Sequence, residues 1–176
     1  MAFHSNDVDV MIDEQQLQAK VAALGAQITR DYAGKDLTLI GIMKGSLFFL
    51  TDLAHAIDLP VKLELMGVSS YQGGTETTGE VRITTDVTTP MHGKNVMVVE
   101  DIVDTGLTMA FLLENLQARH PASLKVCTLL EKPSRARIQV PIDYKGFVIE
   151  DKFVVGYGLD YDELYRNLPY IGVFPS

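Results

Sequence analysis

Val96-Met97-Val98-Val99-Glu100-Asp101-Ile102-Val103-Asp104-Thr105-Gly106-Leu107-Thr108 runs from an unbroken apolar stretch through two acids into a small-residue turn. The apolar run at 96–99 reads as a buried strand of a parallel sheet, whose two faces are both covered. A helical pattern begins at Leu107. Acids and a Thr-Gly turn therefore sit at the carboxyl end of a central strand. That is where open α/β sheets bind ligands.

The turn suits an anion. Gly106 permits a positive φ and a close backbone approach, and the loop through Thr105 and Thr108 offers several N–H groups to one point. The following helix adds its positive end, and the threonine hydroxyls add donors. Glu100 and Asp101 would repel a bare phosphate. They fit a ligand that carries hydroxyls or a bound Mg²⁺ beside its phosphate, and a sugar phosphate satisfies both halves. The competing reading is a structural cap, in which Asp104 is the N-cap of the next helix.

Outward from this block, strands alternate with helices. A helix spans about Glu14 to Asp31, with Leu17, Val21, Leu24 and Ile28 on one face, Asp13 and Gln16 as a capping box and Gly34 as a stop. Strands follow at 37–42, 61–68, 81–84 and 125–130, and helices at 47–56 and 107–117. The C-terminal third carries only short strands near 147–149, 153–156 and 171–174. The expected fold is α/β, with a mostly parallel central sheet flanked by helices. One domain covers 1–176: a core at about 35–135, a small irregular hood from about 1–12 and 136–176, and a Gly-rich loop at about 69–80.

Composition narrows the function. A chain of 176 residues suits one domain, and 47% hydrophobic content disfavours disorder. A formal charge of −8 and a pI near 4.9 argue against a nucleic-acid surface. Cys127 is the single cysteine and lies in an apolar stretch, so a buried thiol is expected and an intrachain disulfide is excluded. The acidic N-terminus lacks a signal-peptide core and no apolar run is long enough for a bilayer, which leads to the expectation of a soluble cytoplasmic protein without membrane partners.

The block V-V-E-D-I-V-D-T-G-x-T resembles the phosphoribosyl pyrophosphate (PRPP) signature of type I phosphoribosyltransferases. GIMKGSLFFLTDLA at 41–54, SSY at 69–71, LLEKPSRA at 129–136 and EDKFVVGYGLDYDELYRNLPYIGV at 150–173 resemble the bacterial hypoxanthine-guanine subgroup. The resemblance implies a Mg²⁺-dependent purine-salvage enzyme. It would displace pyrophosphate from C1 of PRPP with N9 of hypoxanthine, and of guanine, giving IMP and GMP.

The resemblance also implies roles. Asp104, Thr105, Gly106, Leu107 and Thr108 would form the 5′-phosphate loop, with Asp104 the acid/base beside purine N7. Glu100 and Asp101 would meet the ribose hydroxyls directly or through Mg²⁺. Both can serve one sugar only where the strand breaks into a loop. Lys44, with Gly45, would contact pyrophosphate, often after a non-proline cis peptide, here Met43-Lys44; otherwise Lys44 is an ordinary exposed lysine. Arg166 would make a second pyrophosphate contact, and Asp160 would serve a second Mg²⁺ and border the purine site. Lys132 would bond the purine 6-oxo group, Phe153 would stack on the ring and Val154 would offer backbone groups. By themselves Phe153 and Val154 read as core. Ser70 and Tyr71 would belong to a catalytic lid. Arg135 and Arg137 receive no role. The resemblance implies a homo-dimer or homo-tetramer, and helix 47–57, apolar on more than one face, agrees with it. The rivals are a xanthine-preferring transferase and a nucleic-acid-binding regulator on the same fold.

Overall fold

The computed structural model of the chain describes residues 7–70 and 80–175. In chain order its elements are β1 (Asp9–Ile12), α1 (Glu14–Asp31), β2 (Thr38–Met43), α2 (Leu47–Ala56), β3 (Lys62–Ser70), β4 (Val81–Thr85), β5 (Asn95–Val103), α3 (Leu107–Gln117), β6 (Ser123–Glu131), β7 (Tyr144–Val148), β8 (Val154–Val155) and β9 (Ile171–Val173). α1 starts as its sequence dictates. The Asp13 carboxylate accepts from the Gln16 N–H, and the Gln16 side chain accepts from the Asp13 N–H.

Six strands form one sheet in the order β4-β3-β2-β5-β6-β7. Every pairing is parallel except β3–β4, which closes one edge antiparallel. The alternation of side chains splits the apolar strands between two faces. Leu39, Met97, Val99, Cys127 and Leu129 pack under α1 and α2 with Leu17, Ile28, Phe49 and Leu53. Ile40, Ile42, Val96, Val98 and Val126 pack on the other face against Met109, Leu112 and Leu116 of α3. Cys127 is buried, and burial pushes its thiol pKa up, so it stays a packed thiol.

From β2 the chain moves to β3 on one side, and from β5 to β6 on the other. The direction reverses between these adjacent strands, so their carboxyl ends frame a crevice at the topological switch point. A second antiparallel sheet, β1-β9-β8, forms the hood. β1 is absent from the sequence expectations. It pairs with β9 at the far end of the chain, as Asp9 with Val173 and Val10 with Gly172, and no local periodicity announces such a partner.

Candidate active site

β5 continues beyond the expected break. Its ladder with β2 covers only Val96–Val99, whereas β6 stays paired through Val103. Glu100 and Asp101 thus stand on a strand that has lost one neighbour, and this freedom replaces the loop expected at 101. The Asp101 N–H donates to Glu100 Oε1 at 3.2 Å, and the Ile102 N–H donates to Asp101 Oδ1 at 2.8 Å. Burial first, and the Asp101 charge second, hold the Glu100 carboxyl well above the usual carboxylate range. Burial likewise raises Asp101, with Glu100 and Arg166 acting in the opposite sense. Two acids that resist carrying two charges together invite a shared proton or a cation.

A cavity of about 250 Å³ opens beside this pair, lined by Glu100, Asp101, Asp104, Thr105, Gly106 and Thr108 among others. Gly106 has φ 84 and is itself the N-cap of α3, with no side-chain cap. The position requires glycine twice over, because a Cβ there would lie 2.3 Å from the Ile138 carbonyl oxygen. The Leu107 N–H reaches Thr105 Oγ1 at 3.3 Å, and the Thr105 carbonyl accepts from the N–H groups of Arg137 and Ile138. Asp104 is not the N-cap. Its Oδ1 accepts from Arg135 Nε at 2.9 Å.

The turn after β2 presses on the same crevice. Met43-Lys44 is a cis peptide, as the family resemblance implies. A Cβ on Gly45 would lie 1.8 Å from Asp101 Oδ2, and one on Gly158 would lie 2.0 Å from the Gly45 carbonyl oxygen. The loop 156–166 therefore docks on the turn and brings Arg166 to it. Arg166 donates to the Gly158 carbonyl at 2.7 Å and pairs with Asp160 at 3.0 Å. Its Nε is buried with no hydrogen-bond partner among the described residues. Asp160 Oδ2 also accepts from the Glu163 N–H at 2.9 Å. Lys44 is not an unengaged surface lysine: its Nζ donates to Glu163 Oε2 at 2.5 Å.

Lys132, just after β6, is buried and its backbone N–H bonds the Val103 carbonyl at 3.0 Å. Its Nζ lies 3.8 Å from Asp151, which also meets Arg135 at 3.7 Å. A chain of charges, Asp104–Arg135–Asp151–Lys132, thus joins the 104–108 turn to the lysine. Phe153 is 58% exposed, edge-on to Tyr161 at 5.8 Å, which leaves its ring available for stacking. Val154 is buried in β8. The structure thus separates the pair that sequence alone reads as core. Ser70 ends β3 with its side chain exposed, while Tyr71 and residues 71–79 of the expected lid lie outside the described residues. Asp151 and Glu163 are absent from the sequence expectations, and Arg135 is there without a role. Each is an ordinary charged residue locally, and only the folded contacts reveal its place.

Residues 10–162 match the model of the phosphoribosyl transferase domain. The hypoxanthine-guanine phosphoribosyltransferase of Mycobacterium tuberculosis is 51% identical over 93% of this chain and 84% of its own. A crystal structure of a hypoxanthine phosphoribosyltransferase from Staphylococcus aureus superposes with a TM-score of 0.92 at 48% identity, over 97% of this chain and 93% of that one. The Trypanosoma cruzi hypoxanthine phosphoribosyl transferase, whose C-terminal region was studied for its role in oligomeric state and activity, superposes at 0.92 with 36% identity over 99% and 95%. The chain belongs to the phosphoribosyl transferase family.

Proposed function

We propose that this protein is a purine-salvage enzyme that transfers the phosphoribosyl group of PRPP to N9 of hypoxanthine, and of guanine, giving IMP or GMP and pyrophosphate. One observation carries the reading: the Met43-Lys44-Gly45 turn packs against Asp101, and the 104–108 phosphate turn opens beside it. A diphosphate-binding turn and a monophosphate-binding turn on two adjacent strands match a substrate with phosphate at both ends of one sugar.

The roles follow from position. The N–H groups of 105–108 hold the 5′-phosphate. Lys44, Gly45 and Arg166 hold pyrophosphate, and their donors neutralise the charge that grows on it as the C1–O bond breaks. Lys132 donates to the purine 6-oxo group, which an adenine 6-amino group cannot accept in the same way. Phe153 and Val154 border the ring. Asp104, beside the base, exchanges a proton at N7. Ser70 and Tyr71 begin a lid that excludes water.

Among the described residues no three His, Cys, Asp or Glu side chains converge on one point. Mg²⁺ takes only one or two carboxylates and fills its shell with water and phosphate oxygens, so the Glu100–Asp101 pair, and Asp160 separately, fit that ion together with substrate. Held there by Glu100, Asp101 and Asp160, Mg²⁺ would supply positive charge that offsets the negative charge of the pyrophosphate.

The reading treats 1–176 as one domain that assembles with copies of itself. Leu47 and Phe48 are exposed on α2 while Phe49, Leu50 and Leu53 are buried beneath them. A sedimentation experiment that finds only 19.4 kDa particles would refute that assembly. The test of function is a base panel: PRPP and Mg²⁺ with hypoxanthine, guanine, xanthine or adenine, followed by absorbance. Mg²⁺-dependent nucleotide from hypoxanthine, with or without guanine, is expected. Silence with all four bases from folded protein would overturn the reading.

A further inference from the structure

Lys44 and Arg166 share one partner. The Glu163 carboxylate takes the Lys44 ammonium on Oε2 at 2.5 Å and an Arg166 Nη2 donor on Oε1 at 3.2 Å. One group thus spans both cations with its two oxygens, as two oxygens of a phosphate would. The hydrogen bond from Lys44 first, and that from Arg166 next, hold Glu163 below the usual carboxylate range.

The local charge explains why this matters. Lys44 and Arg166 carry two positive charges, and Asp160 and Glu163 carry two negative ones in contact with them. A subsite with that balance offers little net attraction to a polyanion. Arg166 keeps its direction without Glu163, because the Gly158 carbonyl and Asp160 also hold it. Among the described residues, the ion pair of Lys44 is the one with Glu163. Glu163 is 62% exposed on its side chain, as is Lys44, so the pair is in water and opens at small cost. A buried clamp would be expected if Glu163 served to fix the two cations.

We propose that Glu163 is an internal competitor for the pyrophosphate subsite: its carboxylate occupies the Lys44–Arg166 pair in the free protein, yields it to the diphosphate of PRPP, and reclaims it as pyrophosphate leaves. This rests on the placement of pyrophosphate given under Proposed function. The residue weakens binding of substrate and product alike, and so promotes release of the product.

The sign of one substitution decides it. Glu163→Gln keeps the shape and removes the charge. Isothermal titration of Mg²⁺-pyrophosphate into the wild type and the variant, both checked for the same thermal unfolding midpoint, is expected to show roughly threefold to tenfold tighter binding in the variant, the range set by losing one or two exposed ion pairs. Inhibition by pyrophosphate in the hypoxanthine reaction should strengthen by the same factor. Equal or weaker binding in the variant, with an active wild type, would make Glu163 a positioning residue and overturn the proposal. A wild type that neither binds pyrophosphate nor makes nucleotide would remove the pyrophosphate assignment itself, and the proposal with it.

Discussion

Gly45 and Asp101 stand so close that a Cβ on the glycine would lie 1.8 Å from Asp101 Oδ2. The approach joins two elements that share no side-chain chemistry, the turn after β2 and the acidic pair of β5. Gly45→Ala must displace either the carboxylate or the turn. Overpacking of this kind costs about 1–3 kcal/mol. A shift of about 1 Å in a reacting group costs on the order of 100-fold in rate. We expect the variant to fold, to unfold several degrees earlier, and to lose activity out of proportion to its stability. Thermal unfolding and kcat/KM for PRPP measure the two effects. Full activity would show that the turn does not position Asp101.

Glu100 makes a stability prediction with a definite sign. Its folded-state carboxyl is raised well above the ordinary value of 4.5, by burial and then by Asp101. The folded protein therefore binds more protons than the unfolded chain in the window above 4.5. Stability is fully present below that value and is lost as pH rises through the folded-state pKa. Glu100→Gln removes the buried charge and this pH dependence. At pH 7–8 the variant without ligands should unfold later, each kcal/mol gained appearing as roughly 2–4 °C for a domain of this size. The same change should abolish Mg²⁺-dependent PRPP binding. A variant that unfolds earlier at pH 8 would show that the ionised pair contributes to the fold.

How far the sequence speaks depends on the distance over which each feature is decided. The capping box of Asp13 and Gln16 and the face of Leu17, Val21, Leu24 and Ile28 lie within single turns of helix, and the structure has them where the pattern put them. The run Val96–Val99 shows its burial in its composition, and the whole run is buried. β1 is four residues whose partner lies about 160 residues away, so its own alternation is too short to speak. The true end of β5 depends on how far β6 stays paired with it, which residues 96–108 do not encode. The same holds at the site. Gly106 is legible because its turn demands glycine, whereas Arg135 beside Asp104 and Glu163 beside Lys44 meet across 31 and 119 residues. Charged residues in loops look alike until the fold chooses their partners.

Asp104 opens the 104–108 turn with one carboxylate oxygen on Arg135 and no capping duty in α3. Asp104→Asn keeps the size and an acceptor oxygen but cannot exchange the proton. General acid/base groups contribute about 10²–10⁴-fold, so kcat should fall within that range while KM for PRPP changes little. A parallel loss in both parameters would assign Asp104 to phosphate binding instead. Unchanged turnover would remove it as the proton-transfer group.

Lys132 gives the test of base selection. It is buried, yet its nearest acid, Asp151, is 3.8 Å away and itself half exposed. A pair that loose repays little of the cost of burying an ammonium, so stabilising the free protein does not account for it. Under the proposed function the charge serves a purine 6-oxo group. Lys132→Met keeps the apolar stem and removes the donor, leaving Asp151 facing water. We expect an unchanged or slightly higher unfolding midpoint. kcat/KM for hypoxanthine should fall about 100-fold or more, because a site that reads a polar group loses most when that bond is lost. Adenine, which lacks the oxo acceptor, should gain relative to hypoxanthine in the same assay. If the midpoint drops sharply and the ratio between the two bases holds, Lys132 supports the loop through Asp151 and does not read the base.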